Sequence, residues 1–165
     1  MRYIKDGAIA DDPWVSIDGS EPVPPDVPAI VSPDWLFAAT PAGFAARSAP
    51  LGVAWPNDRP ESELAPFLPH ISLIALEFPI FRDGRAYTQA RRLRERYGFK
   101  GEIRATGDVL RDQFLFMVRA GFDAFEVKKA ADAEAFAEAL GELSLRYQPV
   151  GSDIPAFRAR LRALR

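Results

Sequence analysis

From residue 51 onward, short apolar runs alternate with helix-patterned stretches, and this alternation constrains the fold more than any other feature of the chain. The run from Ile71 to Phe78 (ISLIALEF) is almost wholly apolar, as a strand covered on both faces must be. Leu51 to Trp55 (LGVAW), Gly101 to Ala105 (GEIRA) and Ala124 to Val127 (AFEV) read as further strands, with Leu145 to Gln148 as a fifth candidate. Between them the pattern predicts a short helix from Pro60 to Leu68 and a longer one from Ala86 to Tyr97, where Ala86, Ala90, Leu93 and Tyr97 form one apolar stripe. Further helices are predicted over Leu110 to Ala120, over Asp132 to Leu143 with Phe136, Leu140 and Leu143 inward, and over Asp153 to Leu164. Gly98 and Gly121 stand where helix C-caps belong. This order predicts an α/β fold built from βα units with right-handed crossovers. Its sheet would be small and parallel, with four or five strands, open or half-barrel-like.

The first part of the chain reads differently. Twelve of the 15 prolines lie before residue 70, and proline fixes φ and removes a backbone donor. Residues 1–49 are therefore expected to form an extended, acidic, Pro-rich arm, and residues 50–165 a single α/β domain. Trp14, Trp35, Phe37 and Phe44 would sit better against that domain than in water. Within the arm, Ser32 followed by Pro33 predicts a capped helix start.

Composition narrows the chemistry. The chain has no cysteine and one histidine, His70, so disulfides, thiolate nucleophiles and the usual zinc sites are excluded. No stretch approaches the length of a membrane span, and the charged N-terminus lacks the apolar run of a signal peptide; a cytoplasmic protein is expected. The net charge of −2 argues against nucleic acid as a partner. It also hides an asymmetry: residues 1–69 hold 4 basic and 10 acidic side chains, residues 82–119 hold 10 and 5.

In a parallel α/β sheet the segments leaving the carboxyl ends of the strands share one rim, towards which helix N-termini point. Here those segments carry Arg82 and Arg85, then Gly107, then Lys128 and Lys129, with Arg104 near the end of its strand. Guanidinium forks, ammonium groups and helix ends all favour an anion, so Arg82, Arg85, Arg104, Gly107 and Lys128 form a candidate anion site. A buried Arg104 would need a carboxylate such as Glu102 or Glu77, or a ligand. Asp83 and Asp108 read as helix caps, and with Glu77 are the weak candidates for proton transfer. His70 is expected to be structural. Arg91, Arg92, Arg94 and Arg96 form a basic helix face, which could be solvated, dock the acidic arm or meet an acidic partner. Neither a G-x-G-x-x-G nor a P-loop sequence is present.

Residues 73–127 contain Phe78, Pro79, Phe81, Asp83, Gly84, Arg85, Ala90, Arg91, Leu93, Arg94, Gly101, Glu102, Arg104, Gly107, Asp108, Asp112 and Gln113. In this pattern the run resembles a bacterial family of unknown function whose members are labelled "probable oxidoreductase involved in sulfite reduction" and are found beside assimilatory sulfite reductase genes. Many relatives place a cysteine where this chain has Ala120, so the resemblance implies no essential thiol there. It implies an accessory protein of assimilatory sulfite reduction, acting through an Arg-rich surface on an anion or on sulfite reductase or another sulfur-assimilation protein. The alternative is a small cytoplasmic enzyme, an oxidoreductase if the label holds, that binds an anionic sulfur- or phosphate-containing substrate at the strand rim. Since the chain supplies no redox thiol, the purified protein is expected to be colourless, with no metal and no cofactor, neither flavin nor sirohaem.

Overall fold

The structure, a computed structural model, describes residues 2–5, 8–17, 19, 21–80, 82–128 and 134. The helices expected over 132–143 and 153–164, the strand over 145–148, and Phe81 and Lys129 lie outside the described residues. Eight strands form one sheet: β1 (Arg2–Lys5), β2 (Ala8–Ala10), β3 (Val15–Ser16), β4 (Ala29–Val31), β5 (Leu51–Trp55), β6 (Leu73–Phe78), β7 (Glu102–Gly107) and β8 (Ala124–Val127). They are ordered β2-β1-β8-β7-β6-β5-β4-β3. Neighbours from β3 to β8 pair in parallel, whereas β1 pairs antiparallel with both β8 and β2. The expectation of four or five parallel strands is thus corrected to an eight-stranded mixed sheet. Four strands come from residues before 50; being only 2 to 4 residues long, they leave no alternation to detect.

The long elements follow their sequence signals. Helix α1 (Pro33–Ala38) starts with the Ser32 hydroxyl accepting the Trp35 N–H at 3.2 Å, and α2 (Pro41–Ala45) repeats the device with Thr40. Helix α3 (Arg85–Glu95) buries Ala86, Ala90 and Leu93 against the sheet. Helix α4 (Phe114–Ala120) ends on Gly121 at φ +108°, a left-handed conformation suited to glycine. Two expectations shift. Prolines 66 and 69 break the predicted 60–68 helix into two 3₁₀ turns, Glu61–Leu64 and Leu68–His70. A third 3₁₀ turn, Arg111–Gln113, replaces the start of the 110–120 helix.

Sequential parallel strands with crossovers of one hand place their helices on one face, so the sheet curls away from them into a half-barrel. The covered face holds the main core, including Val53, Trp55, Ile74, Leu76, Phe78 and Phe125. The curl is enforced by the chain itself. β2 and β3 are opposite edges of the sheet, yet only residues 11–14 join them. Five Cα steps reach at most about 18 Å, whereas eight flat strands would separate their edges by about 34 Å. The strap at 11–14 crosses the concave face, where Trp14 packs on Ile30, Leu73 and Ala75.

Candidate functional site

The concave face is where Arg104 lies. Its backbone is level with Ala75 and Ala124, mid-sheet and away from the rim, and its side chain is completely buried. Asp12 of the strap grips the guanidinium with both oxygens, at 2.7 and 3.0 Å, while Glu102 accepts from Nε at 3.0 Å and Glu126 from Nη1 at 3.3 Å. Tyr3 donates to Glu102 at 3.0 Å and Lys5 does so at 2.7 Å, with the Arg104 guanidinium 4.3 Å from the Tyr3 ring centre. Burial alone would lower the Arg104 pKa, but the hydrogen bond to Asp12 and attraction by Glu102 and Asp12 outweigh it and hold it above its ordinary value. The same burial, with the Glu102 charge, raises the Tyr3 phenol well above its usual range. Arg104 therefore answers to internal carboxylates: Glu102, named from the sequence, and Asp12 and Glu126, which were not. Glu77 is exposed and takes no part in this cluster.

The remaining rim residues are placed by the strand exits. Arg82, Asp83 and Arg85 leave β6, Gly107 and Asp108 leave β7, and Lys128 follows β8. Asp108 meets Lys128 at 3.6 Å, linking two neighbouring connections. Gly107 has φ +86°, and an added Cβ would lie 2.4 Å from the Phe78 carbonyl, so glycine is required there by close strand approach. The Asp83 carboxylate accepts the Arg85 N–H at 3.2 Å, helping to start α3, and takes the Arg85 guanidinium at 2.6 to 3.2 Å. Those bonds to Arg85 hold the Asp83 carboxyl far below the usual carboxylate range and raise Arg85 in turn. His70 is on the opposite rim, stacked on Phe44 at 4.9 Å.

Nor do the four arginines of the predicted basic face share a role, Arg96 being exposed just past the end of α3. Arg91 is exposed and Arg92 meets Glu61 at 3.3 Å. Arg94 is buried: it donates to the carbonyls of Phe99, Gly101 and Gly121 at 2.7 to 3.0 Å and pairs closely with Asp123. It is a tie between α3 and the turns that precede β7 and β8, at the N-terminal rim where such contacts serve stability.

A cleft of about 310 Å³ opens at the C-terminal rim between the loop leaving β5 and the first turns of α3. It gathers Arg59, Arg85 and Arg92 with Asn57, Glu61 and Gln89. Gln89 is buried; its Nε2 donates to the carbonyls of Pro56 at 3.1 Å and Arg59 at 2.8 Å, which fixes the amide so that Oε1 is left without a partner. Asn57 is buried as well, and its Nδ2 makes no hydrogen bond of ordinary geometry, though the amide helps depress Asp83 from further away. Arg59 is held over the rings of Trp55 and Phe37 and bound to Glu63. Sequence reasoning missed Asn57, Arg59 and Gln89. The exit loop of β5 was the available signal, since it obeys the same carboxyl-end rule as the three that were read. A larger groove of about 760 Å³, bordered by α1 and α2, is lined by Trp35 and small residues together with Ser32, Asp34, Thr40 and Arg47.

The β5-to-α3 cleft and the β7 ladder lie inside a stretch, residues 52–157, that matches the model of a family described as "Bacterial protein of unknown function (DUF934)". The chain belongs to that family. No curated protein matches it. The DUF934 match begins within β5, so the strap and its Asp12 fall outside it, while Arg59, Arg85, Gln89, Arg92 and Arg104 fall inside. Among the described residues no group of three His, Cys, Asp or Glu side chains is placed to hold a metal ion. No helix among them is long and apolar enough to cross a membrane.

Proposed function

We propose that this DUF934 protein is a binding accessory of assimilatory sulfite reduction, working through its arginine-lined rim on a small anion or on the anionic surface of a reductase partner. The rim cleft is the observation that carries the binding half of this reading: Arg59, Arg85 and Arg92 converge where α3 begins. The link to sulfite reduction rests on the resemblance over residues 73–127. The enzyme alternative has less behind it. Asp83 is bonded to Arg85, Asp108 meets Lys128, and Glu77 is exposed on the other face, so none of the three sequence candidates stands as an unengaged carboxylate in the cleft.

A deletion strain grown on sulfate or on cysteine as sole sulfur source tests the reading. Cysteine dependence relieved by the wild-type gene, and not by Arg85→Ala/Arg92→Ala, is the expected outcome. Undiminished growth on sulfate would overturn the role in sulfite reduction, and full rescue by the double variant would overturn the rim as its working surface.

A further inference from the structure

We propose that the groove between α3 and α4 docks a partner protein, through a segment that joins an apolar side chain to carboxylates. The groove has a volume of about 560 Å³ and shares no lining residue with the rim cleft, so this inference does not depend on the reading above. Tyr87 and Arg91, one turn apart on α3, form one wall; Phe116, Arg119 and Ala120 of α4 form the other. Phe116 is 61% exposed, whereas Phe114 and Met117 of the same helix are buried. Covering such a ring favours association, and aromatic and arginine side chains are enriched at protein interfaces. The Arg119 guanidinium lies 6.0 Å from the Phe116 ring centre, which sets positive charge beside the apolar surface.

Charge selects the partner. Of the five acidic residues between 82 and 119, Asp83, Glu102 and Asp108 meet Arg85, Arg104 and Lys128. The helical layer keeps Glu95 and Asp112 against the exposed Arg91, Arg96 and Arg119, and Arg91 makes no ion pair among the described residues. A local excess of positive charge on a chain of net charge −2 draws acidic groups to this face. The groove is also polarised along its length. Both helices start at the carboxyl rim, so Asp112 and Tyr87 share one end, while Arg91 and Arg119 lie one to two turns further on. The partner's carboxylates therefore belong at the arginine end, with its apolar side chain against Phe116. A lone exposed ring offers no platform for successive bases, which favours protein over single-stranded nucleic acid.

Fluorescence anisotropy on the full chain, with a labelled synthetic peptide of glutamates flanking two phenylalanines, tests this. A dissociation constant below about 100 μM is expected, weakened at least about tenfold when glutamine replaces the glutamates. No binding of the glutamate peptide, or equal binding of the glutamine one, would overturn the proposal. Tighter binding of a labelled oligothymidylate of the same length would overturn it in favour of nucleic acid. Sedimentation velocity should show a monomer; a dimer broken by Phe116→Ser would make the occupant a second copy and overturn it as well. The surface variants Phe116→Ser and Arg91→Glu should each weaken the glutamate peptide about tenfold, and an unchanged affinity in either would place the peptide elsewhere. Arg85→Ala should bind the peptide as the wild type does. A tenfold loss in that variant would move the docking to the rim and end the separation of the two surfaces.

Discussion

Arg104 and Arg85 each hold an aspartate with two nitrogens, at nearly the same distances, and one arginine is buried under a strap while the other stands on the rim. Arg104 has no exposed surface and adds Glu102 and Glu126 to Asp12, whereas the Arg85 side chain is 57% exposed and hydrogen-bonds to no carboxylate but Asp83, with Asp58 adding only its attraction. The contact geometry is alike; the surroundings differ. In the interior, removing the cation strands the buried Glu102 carboxylate, which water cannot readily reach. At the rim, water and salt replace either partner, which leaves Arg85 available for exchange with an incoming ion. A binding site needs groups of the second kind, and a closed sheet needs groups of the first.

The strongest way to break this contrast is Arg104→Ala. It should destabilise the fold by about 3–5 kcal/mol, read as a melting temperature lower by about 10 °C; a loss under about 1 kcal/mol would mean the cluster is hydrated and the two pairs are equivalent. Asp12→Asn should cost less, about 2 kcal/mol, because Arg104 keeps Glu102 and Glu126. Denaturant unfolding of both variants would rank them, and a reversed order would unseat Asp12 as the lesser partner.

A gentler probe is alkaline titration. Tyr3 ionises above its ordinary value of 10.0 in the folded chain. As pH rises past that value, the unfolded chain releases the proton first, so stability falls with pH until the folded phenol also ionises. Tyr3→Phe should flatten this decline, measured as melting temperature from pH 9 to pH 12, and an unaltered slope would disconnect Tyr3 from the buried cluster. The smallest effect is expected for Arg85→Ala, whose melting temperature in phosphate-free buffer should match the wild type. A loss comparable to that of Asp12→Asn would erase the distinction between rim and interior.

What the sequence disclosed follows from element length. Strands β5 and β8 match the sequence reading residue for residue, and β6 sits within ISLIALEF, because a long run repeats its pattern often enough to be recognised. β3 has two residues and β4 three, set among prolines, and pairing with distant strands rather than local propensity makes them strands. Arg104 could be read as needing a partner, and Glu102 two residues away was named. Asp12 could not be found, since only the curl of the sheet brings it across. Gln89 carries no sequence signal beyond ordinary helix polarity; its burial comes from the β5 exit loop folding over α3.

The strap also sets an order of assembly. Tyr3 and Glu102 are 99 residues apart in the chain, and Asp12 and Arg104 are 92 apart. A nascent chain thus presents β1 and β2 long before β8 exists, and the parallel strands must form while that antiparallel pair waits for its place beside β8. Closing so long a loop comes late on entropic grounds. The last piece of the sheet to dock is synthesised before the strands it closes upon, and its carboxylate arrives at an arginine that the rest of the sheet has already surrounded.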